Sequence, residues 1–313
     1  METYTWADGD LIKGRKQIDS LNYSLHYSSP SAWEGIRSYE QQDGSTVIWK
    51  LDEHVQRLFD TAKILNFEIP YTKPELIRAC KEVVKANGSG DLYLRPVVYS
   101  SDSAKSATPS EGSVCVDIYA FPLEKLHKKP VKLMISNYKR GYPQFNMQAK
   151  TAANYQILQS IKNELKGDID DILLTDNSDH ITEASVANIY VFKGNVAYTP
   201  PNDGSILPGI TRGCVADLLQ NQQLMILKYK KPTLLFEKKI TKADLYTAYC
   251  VILCGTFTEV TQVSHIDGRR IGDDTTQFYY NMLRDEYQSL IRGVASRDDS
   301  DVLHREGYGR SKD

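Results

Sequence analysis

The stretch Gln148-Ala149-Lys150-Thr151-Ala152-Ala153-Asn154-Tyr155 joins a loop over 141–146 to a helix that we predict over about 152–166, ending at Gly167. Lys150 therefore lies between a loop and a helix. Burial there would raise the cost of the ammonium charge and favour the neutral amine. A neutral amine can form an imine with an aldehyde. Taken alone, Lys150 would be interpreted as a solvated surface lysine, the commonest fate of a basic residue, and only the motifs that follow it favour the functional interpretation.

A single carboxylate, Glu183, follows 33 residues after Lys150. It comes after the turn-forming residues 176–179 and just before an apolar strand predicted over 188–193. An acid in this position could keep a proton on a heterocyclic nitrogen, which makes the ring an electron sink. The alternative is a loop acid in water.

Two glycine- and threonine-containing segments come next, Leu207-Pro208-Gly209-Ile210-Thr211 and Cys254-Gly255-Thr256. The first precedes a predicted helix over 211–221, whose first amides suit a phosphate. The Thr211 and Thr256 hydroxyls could add donors. The alternatives are N-capping by Thr211 and a plain turn at the end of a strand predicted over 250–255.

Arg57 could contribute a guanidinium to the same phosphate. It lies next to the apolar stripe of a helix that we predict to be capped by Asp52. The alternative is a surface arginine paired with Glu53, four residues earlier. The stripe consists of Val55, Leu58, Phe59, Ala62 and Leu65.

An amine, an acid and two loops that suit a phosphate, in this order, together point to pyridoxal phosphate. This cofactor needs a lysine for its aldehyde, an acid for its ring nitrogen and donors for its phosphate. The six histidines show no metal-site spacing, so we expect no metal.

Composition narrows the class of protein. The chain has 313 residues, 41% of them apolar and 25% charged, with a net charge of −2, so neither nucleic acid nor a membrane surface is an expected partner. Its apolar runs are too short to span a membrane. The N-terminus lacks the regions of a signal peptide, and we expect a cytoplasmic protein.

The number of cysteines, five, is odd, and they are scattered along the chain. This pattern predicts buried thiols and not a disulfide framework.

Strands mix with helices, without the alternation of a doubly wound sheet. Residues 122–130 break the apolar pattern. We therefore predict a small α/β domain over 1–121, a linker over 122–130 and a larger domain over 131–295, with a disordered charged tail over 296–313.

Further strands are predicted over 45–51, 92–99, 114–121, 131–137 and 171–175. Further helices are predicted over 241–247, 276–292 and from the capping box of Thr72 and Glu75 to Gly88.

The motifs together resemble the class IV aminotransferases, which are fold-type IV pyridoxal phosphate enzymes, and most of all the branched-chain amino acid aminotransferases. The similarity covers about residues 20–290. Its segments are His26-Tyr27, Trp33-Glu34-Gly35-Ile36-Arg37, His54-Val55-Gln56-Arg57-Leu58, Tyr93-Leu94-Arg95-Pro96, residues 150–155, Thr182-Glu183, Pro208-Gly209-Ile210-Thr211 and Gly255-Thr256.

The resemblance implies a role for each matching residue. Lys150 is similar to the lysine that holds the cofactor and moves the proton, and Glu183 to the acid at the ring nitrogen. Tyr155 matches the phenol near the ring hydroxyl, and Leu207 the apolar residue on the ring face. The phosphate site implied in this way consists of Arg57, Ile210, Thr211 and Thr256. A larger barrel-like α/β domain beside the small one, and a homodimer, are also implied.

The substrate residues implied by the resemblance are Tyr27, Trp33, Tyr93, Arg95, Phe257 and Thr258. Tyr93-Leu94-Arg95-Pro96 favours the branched-chain group over the D-amino acid group, with Arg95 binding a carboxylate. Without the family, Trp33 and Tyr93 would be interpreted as core aromatics. Phe257 and Thr258 depart from the small residues usual at these positions.

The expected reaction is transamination between leucine, isoleucine or valine and 2-oxoglutarate. Alternatives with the same cofactor are a D-amino acid transaminase, an enzyme similar to aminodeoxychorismate lyase, and a specialised biosynthetic transaminase. Two alternatives from other classes are a non-catalytic protein that binds a phosphorylated small molecule and a scaffold protein that uses the charged tail.

Overall fold

The computed structural model describes residues 3–105, 114–123, 129–140, 147–161, 164–165, 167–221, 224–230, 232–272, 277–293 and 302–303. The chain forms two compact units. The first comprises Met1–Lys125, Lys150–Ala153 and Ser289–Asp313, and the second comprises Leu126–Ala149 and Asn154–Gln288. The domain boundaries given above stay a prediction, and residues 124–128 of the linker lie outside the described residues.

An eight-stranded sheet is the centre of the first unit, counted over the described residues. Its strands are β1 (Tyr4–Ala7), β2 (Asp10–Lys13), β3 (Ser31–Trp33), β4 (Ile36–Glu40), β5 (Thr46–Ile48), β6 (Leu92–Ser100), β7 (Val114–Pro122) and β17 (Val302–Leu303). Their order is β17-β5-β4-β6-β7-β1-β2, with β3 beside β6, and all pairs are antiparallel.

The helices of the first unit are α1 (Tyr23–Tyr27), α2 (Leu51–Ile64) and α3 (Lys73–Ala86). The predicted capping box of α3 is confirmed, with Thr72 and Glu75 bonded to each other's backbone. The predicted cap of α2 is wrong. Lys50 takes the N-cap position in the left-handed region, at a φ of 55°, so Asp52 falls in the first turn. There its charge still complements the positive end of the helix.

Helices α2 and α3 cover one face of this sheet. The apolar side chains of α2 and α3, such as Leu58 and Val83, are buried in one cluster with Leu94 of β6. Side chains alternate between the faces of a strand. The opposite face therefore carries Arg95, whose cross-strand neighbour is Tyr119, and Thr5, which is paired with the same Tyr119.

The tail differs from the prediction at two residues. Val302 and Leu303 pair with Val47 and Thr46 of β5, so that β17 becomes the edge strand of the sheet. Two apolar residues in an otherwise charged tail can extend a sheet edge through backbone hydrogen bonds. The other predicted tail residues, 296–301 and 304–313, lie outside the described residues.

A nine-stranded mixed sheet is the centre of the second unit, again over the described residues. Its strands are β8 (Val131–Lys139), β9 (Asp171–Thr175), β10 (Ile181–Ala184), β11 (Asn188–Lys193), β12 (Val196–Thr199), β13 (Leu234–Glu237), β14 (Cys250–Gly255), β15 (Glu259–Ile266) and β16 (Arg269–Arg270). Their order is β10-β9-β8-β15-β14-β11-β12-β13, with β16 beside β15. Strand β8 runs parallel to both of its neighbours.

The remaining helices are α4 (Ile157–Ile161), α5 (Ile210–Gln220), α6 (Lys242–Tyr246) and α7 (Gln277–Ile291), with a 3₁₀ turn over Ala152–Tyr155 and a π-helical turn over Leu224–Lys228. The single helix predicted over 152–166 is wrong. The side chain of Asn154 turns back and donates to the carbonyl of Ala149 at 2.7 Å, which competes with regular helix formation. Residues 162–163 and 166 lie outside the described part.

No described helix has the length and hydrophobicity needed to cross a membrane. The five cysteines are buried free thiols, as predicted.

Candidate active site

Lys150 belongs to the first unit and contacts both a strand and a helix there. Its backbone N–H donates to Thr61 Oγ1 of α2 at 3.1 Å, and its carbonyl accepts from the Trp33 N–H of β3 at 3.1 Å. Its Nζ lies 3.9 Å from the centroid of the Trp33 ring. The amine is therefore half-buried against an aromatic face, unlike a solvated surface lysine.

Trp33 also contacts Arg95, so three predicted site residues lie together. The guanidinium carbon of Arg95 is 4.3 Å from the Trp33 ring centroid and 5.3 Å from that of Tyr93. Tyr93 is buried, and a Cβ on Gly35 would lie 1.9 Å from its hydroxyl, so glycine is required there. Burial raises the pKa of Tyr93, which keeps the phenol protonated as a donor.

Tyr27 is placed differently from these residues. It ends α1, is 43% exposed and packs on Tyr23 with ring centroids 4.8 Å apart. Within the described part of the first unit, no ring or cation contact joins it to Trp33, Tyr93 or Arg95.

Arg57 is held by a buried acid that sequence analysis did not assign. Its Nε and Nη2 donate to the two oxygens of Glu34 at 2.7 and 2.8 Å. His54 Nδ1 lies 2.8 Å from Glu34 Oε2. The predicted alternative, pairing with Glu53, is wrong, because Glu53 pairs with Lys50 instead. A two-point contact fixes the plane of the guanidinium.

This cluster has a defined charge state. Burial by itself would raise the pKa of Glu34, but Arg57 and then His54 outweigh it and hold that pKa well below its ordinary value. Burial lowers the pKa of His54, and Glu34 only partly opposes this. Glu34 is therefore an anion, and His54 is neutral and donates through Nδ1–H.

Glu34→Gln leaves Arg57 without its buried counter-charge. We expect the free energy of unfolding at pH 7 to fall by about 3 kcal/mol, measured by urea denaturation. Since the pKa of Glu34 is lowered by folding, its stabilisation is fully present above its ordinary value of 4.5 and is lost as the pH falls through the folded value. The difference in the free energy of unfolding between Glu34→Gln and the wild type should therefore become smaller at acidic pH.

Glu53→Gln is the matched control, since Glu53 lies on α2 and is exposed. Glu53→Gln should change the free energy of unfolding by no more than about 0.5 kcal/mol, as is usual for surface substitutions. Equal losses of stability in the two variants would contradict the assigned role of Glu34.

In the second unit, Glu183 lies inside β10 and is 3% exposed. The Arg140 Nε lies 2.5 Å from Oε1. The Leu207 N–H donates to Oε1 at 3.2 Å, and Asn188 Nδ2 donates to Oε2 at 3.1 Å. A buried carboxylate with a cation and two donors is stabilised as an anion. The alternative of a loop acid in water is wrong.

Arg140 is the functional candidate that the sequence analysis missed. It is buried, directly follows β8, and its guanidinium carbon is 6.0 Å from the Tyr155 ring centroid. Arg140 thus brings Glu183 and Tyr155 into one neighbourhood. The signal that could have found it is physical: a buried acid requires a cation, and Arg140 follows a predicted strand.

The turn before α5 is shaped by Gly209. A Cβ on Gly209 would lie 1.9 Å from the Asn188 Oδ1. Asn188 Nδ2 also donates to the Leu207 carbonyl at 3.0 Å, so one amide side chain connects the Glu183 carboxylate to this turn. Gly209 is the N-cap of α5, and Thr211 is buried in the first turn. The alternative that Thr211 is the cap is therefore wrong.

Thr256, Phe257 and Thr258 form the turn between β14 and β15. Helix α5 packs against β14. Thr256 is half-buried and Phe257 is 47% exposed. Thr258 Oγ1 would lie 3.1 Å from a Cβ on Gly255, so a larger residue there would have to displace the Thr258 side chain slightly.

These residues fit pyridoxal phosphate. The N-terminal amides of α5 and the buried Thr211 hydroxyl are donors of the kind that a phosphate needs. Glu183 is a buried acid suited to a protonated ring nitrogen, and Lys150 is an amine held against an aromatic ring.

Comparison with known proteins agrees with this chemistry. The fold is that of the fold-type IV enzymes: the branched-chain aminotransferase of Thermoproteus uzoniensis, solved with norvaline, matches with a TM-score of 0.85 and 29% identity, over 97% of this chain and 99% of that one. The predicted fold class is therefore confirmed. Residues 31–266 match the family model described as amino-transferase class IV, and the chain belongs to this family.

Two further relatives extend the comparison. The branched-chain-amino-acid aminotransferase of Escherichia coli (strain K12) is 31% identical over 281 residues, covering 86% of this chain and 87% of the relative. A structure of the T.th. branched-chain amino acid aminotransferase, complexed with N-(5'-phosphopyridoxyl)-L-glutamate, matches with a TM-score of 0.85 and 28% identity, over 97% and 98% of the two chains. The protein is a pyridoxal phosphate-dependent aminotransferase, as predicted.

Proposed function

We propose that this protein transfers the amino group between branched-chain L-amino acids and 2-oxoglutarate. The relatives named for branched-chain substrates support the first part. The L-glutamate adduct of the T.th. relative supports the second. The observation that carries the transamination chemistry is the Glu183 carboxylate, held by Arg140, Asn188 and the Leu207 amide, and the choice of substrates rests on the relatives.

Each candidate residue has a proposed role toward the cofactor. Lys150 holds it covalently, Glu183 faces its ring nitrogen, and Tyr155 its ring hydroxyl. Leu207 packs on the ring face. The proposed phosphate site consists of Arg57, Ile210, Thr211 and Thr256.

Pyridoxal phosphate, when bound, supplies a protonated ring that withdraws electrons from the substrate's α-carbon. Lys150 Nζ accepts the α-proton as a base and later donates a proton as an acid. Glu183, kept anionic by Arg140, holds the proton on the ring nitrogen. Glu34 fixes the plane of the Arg57 guanidinium, so that Arg57 meets the phosphate with little loss of side-chain entropy.

The substrate residues are proposed from the resemblance and from their placement. Arg95 binds a carboxylate, and Trp33 and Tyr93 limit the pocket beside it. Tyr27, Phe257 and Thr258 are exposed or half-buried and complete the proposed set.

A substrate panel tests the proposed function. We expect leucine, isoleucine and valine to react with 2-oxoglutarate, and the D-enantiomers to be slower by a factor on the order of 10² or more, because a fixed base reaches the α-proton from one side. The measurement is the initial rate of glutamate formation. Turnover confined to D-amino acids would instead assign a D-amino acid transaminase.

We also propose a cytoplasmic homodimer with the domain boundaries given above, as the family resemblance implies. Sedimentation equilibrium of the purified chain tests the dimer: twice the monomer mass of 35.5 kDa is the expected result.

A further inference from the structure

The segment Lys150–Ala153 is held in the first unit, although the chain on both sides of it belongs to the second. Both peptide groups of Lys150 have a partner there. Its N–H donates to Thr61 Oγ1 of α2 at 3.1 Å, and its carbonyl accepts from the Trp33 N–H at 3.1 Å. Since Trp33 makes this contact through its backbone, the Lys150 N–H is the group that depends on a side chain, and a substitution of Thr61 can remove its acceptor.

Thr61 gives the Lys150 N–H an acceptor with a defined position. It is fully buried and lies 89 residues before Lys150 in the chain. In a helix a β-branched side chain has few rotamers, so the direction of Oγ1 is restricted. Valine at this position would place a methyl group against the N–H, which costs free energy until the backbone moves to another acceptor. Removing the Thr61 hydroxyl should therefore shift the backbone of Lys150.

The same face of α2 carries Arg57, one turn before Thr61. Residues four apart in a helix lie on one face, separated by about 6 Å along its axis. The guanidinium of Arg57 is fixed by its two hydrogen bonds to Glu34. Helix α2 thus determines the separation between the candidate phosphate arginine and the backbone of Lys150. A cofactor that is attached to the lysine and also bound through its phosphate needs these two groups at a constant distance.

We propose that Thr61 is a positioning residue that holds Lys150 at a fixed place relative to Arg57. It acts through the backbone of Lys150 and not by contact with the substrate. The inference rests on the proposed function for the roles of Lys150 and Arg57, whereas the hydrogen bond between Thr61 and Lys150 does not depend on it. An error of about 1 Å in the position of a reacting group can lower the rate on the order of 10²-fold.

Thr61→Val tests the proposal in the cofactor-loaded enzyme, because valine keeps the shape of threonine and removes the acceptor. We expect kcat for the fastest amino acid of the substrate panel to fall by about 10- to 100-fold. KM for the same amino acid should stay within about threefold, since no contact to the substrate is lost. Thr61→Ser restores the hydroxyl and should recover most of kcat. Thr61→Ala removes the acceptor without placing a methyl group against the N–H, and it should show the same loss as Thr61→Val.

Thr46→Val is the matched control. Thr46 is buried in the same unit, and its Oγ1 also accepts a backbone N–H, that of Gly90 at 2.9 Å. It belongs to β5, which carries none of the proposed site residues. Both valine variants should lower the urea midpoint of unfolding by a similar amount. Only Thr61→Val should lower kcat by more than about twofold. Equal losses of kcat in the two variants would overturn the positioning role, because they would follow from stability alone.

Amide hydrogen exchange checks the hydrogen bond without any turnover. Mass spectrometry with fragmentation to single residues measures the exchange of the Lys150 N–H in the purified enzyme. We expect Thr61→Val to speed this exchange by about 10-fold or more, and Thr46→Val to leave it unchanged. This result supports the placement of Lys150 even if branched-chain amino acids prove not to be substrates. An unchanged exchange rate at Lys150 in Thr61→Val, or a faster exchange with wild-type kcat, would overturn the proposal and leave the proposed function standing.

Discussion

Lys150→Ala should abolish transamination, lowering kcat by a factor on the order of 10⁴ or more, because it removes both the covalent attachment and the group that moves the proton. The purified wild type should be yellow, and borohydride should bleach it and add the mass of the reduced cofactor to a peptide containing Lys150. The variant should show neither change. Mass spectrometry of the digested protein measures the adduct independently of turnover.

Lys150→Arg is the informative companion variant. It keeps a cation near the Trp33 ring but cannot form the covalent bond. We expect the same loss of activity and of the adduct, with an unfolding midpoint close to that of the wild type. A borohydride adduct on another lysine, or residual turnover above about 1% in both variants, would show that Lys150 is not the attachment site.

Glu183→Gln should lower kcat by about 10²- to 10³-fold. The reason is that a neutral amide lacks the negative charge that stabilises the protonated ring nitrogen of the cofactor. It also leaves Arg140, a buried cation, without its ion pair. The absorption spectrum of the bound cofactor should shift as the ring loses its proton. We expect this shift in the resting enzyme, before any substrate is added.

Glu183→Gln could lower activity either by destabilising the protein or by removing the proton from the cofactor's ring nitrogen, and a control variant separates these two effects. Glu286→Gln serves as the control, since Glu286 is also a buried acid of the second unit and pairs with Lys228 and Tyr229. It should reduce stability without altering the cofactor spectrum. A Glu183→Gln enzyme with an unchanged spectrum and wild-type kcat would contradict the role proposed for this acid.

The strongly patterned elements of the fold were predictable. The capping box of α3, strand β9 and helix α7 are set by neighbouring residues: a Thr and a Glu three apart, a short apolar run, and an amphipathic repeat. The short strands β3 and β10 were not predicted. Their three or four residues carry too little periodicity, and they form because neighbouring strands pair with them.

The candidate site was predictable only as an ordered set of chemical groups. The lysine, the acid and the two glycine-threonine turns are recognisable because each chemistry demands a residue type. The residues that contact these groups could not be predicted from the sequence. Glu34 holds Arg57 from 23 residues away, and Arg140 reaches Glu183 from just beyond the end of β8. Such pairs depend on which side chains are buried together, which no local pattern reports.

The sequence by itself determined the family, the cofactor and the order of the reactive groups, because these follow from residue types and their local spacing. Tertiary structure decided which charged side chains are paired with each other. Lys16 pairs with Asp8 and the buried Asp117, whereas Arg95 lies against the Trp33 and Tyr93 rings and forms no ion pair with a described acid. The physical reason is that the charge balance of a cation depends on its surroundings in space, and burial makes that balance costly to leave unmet.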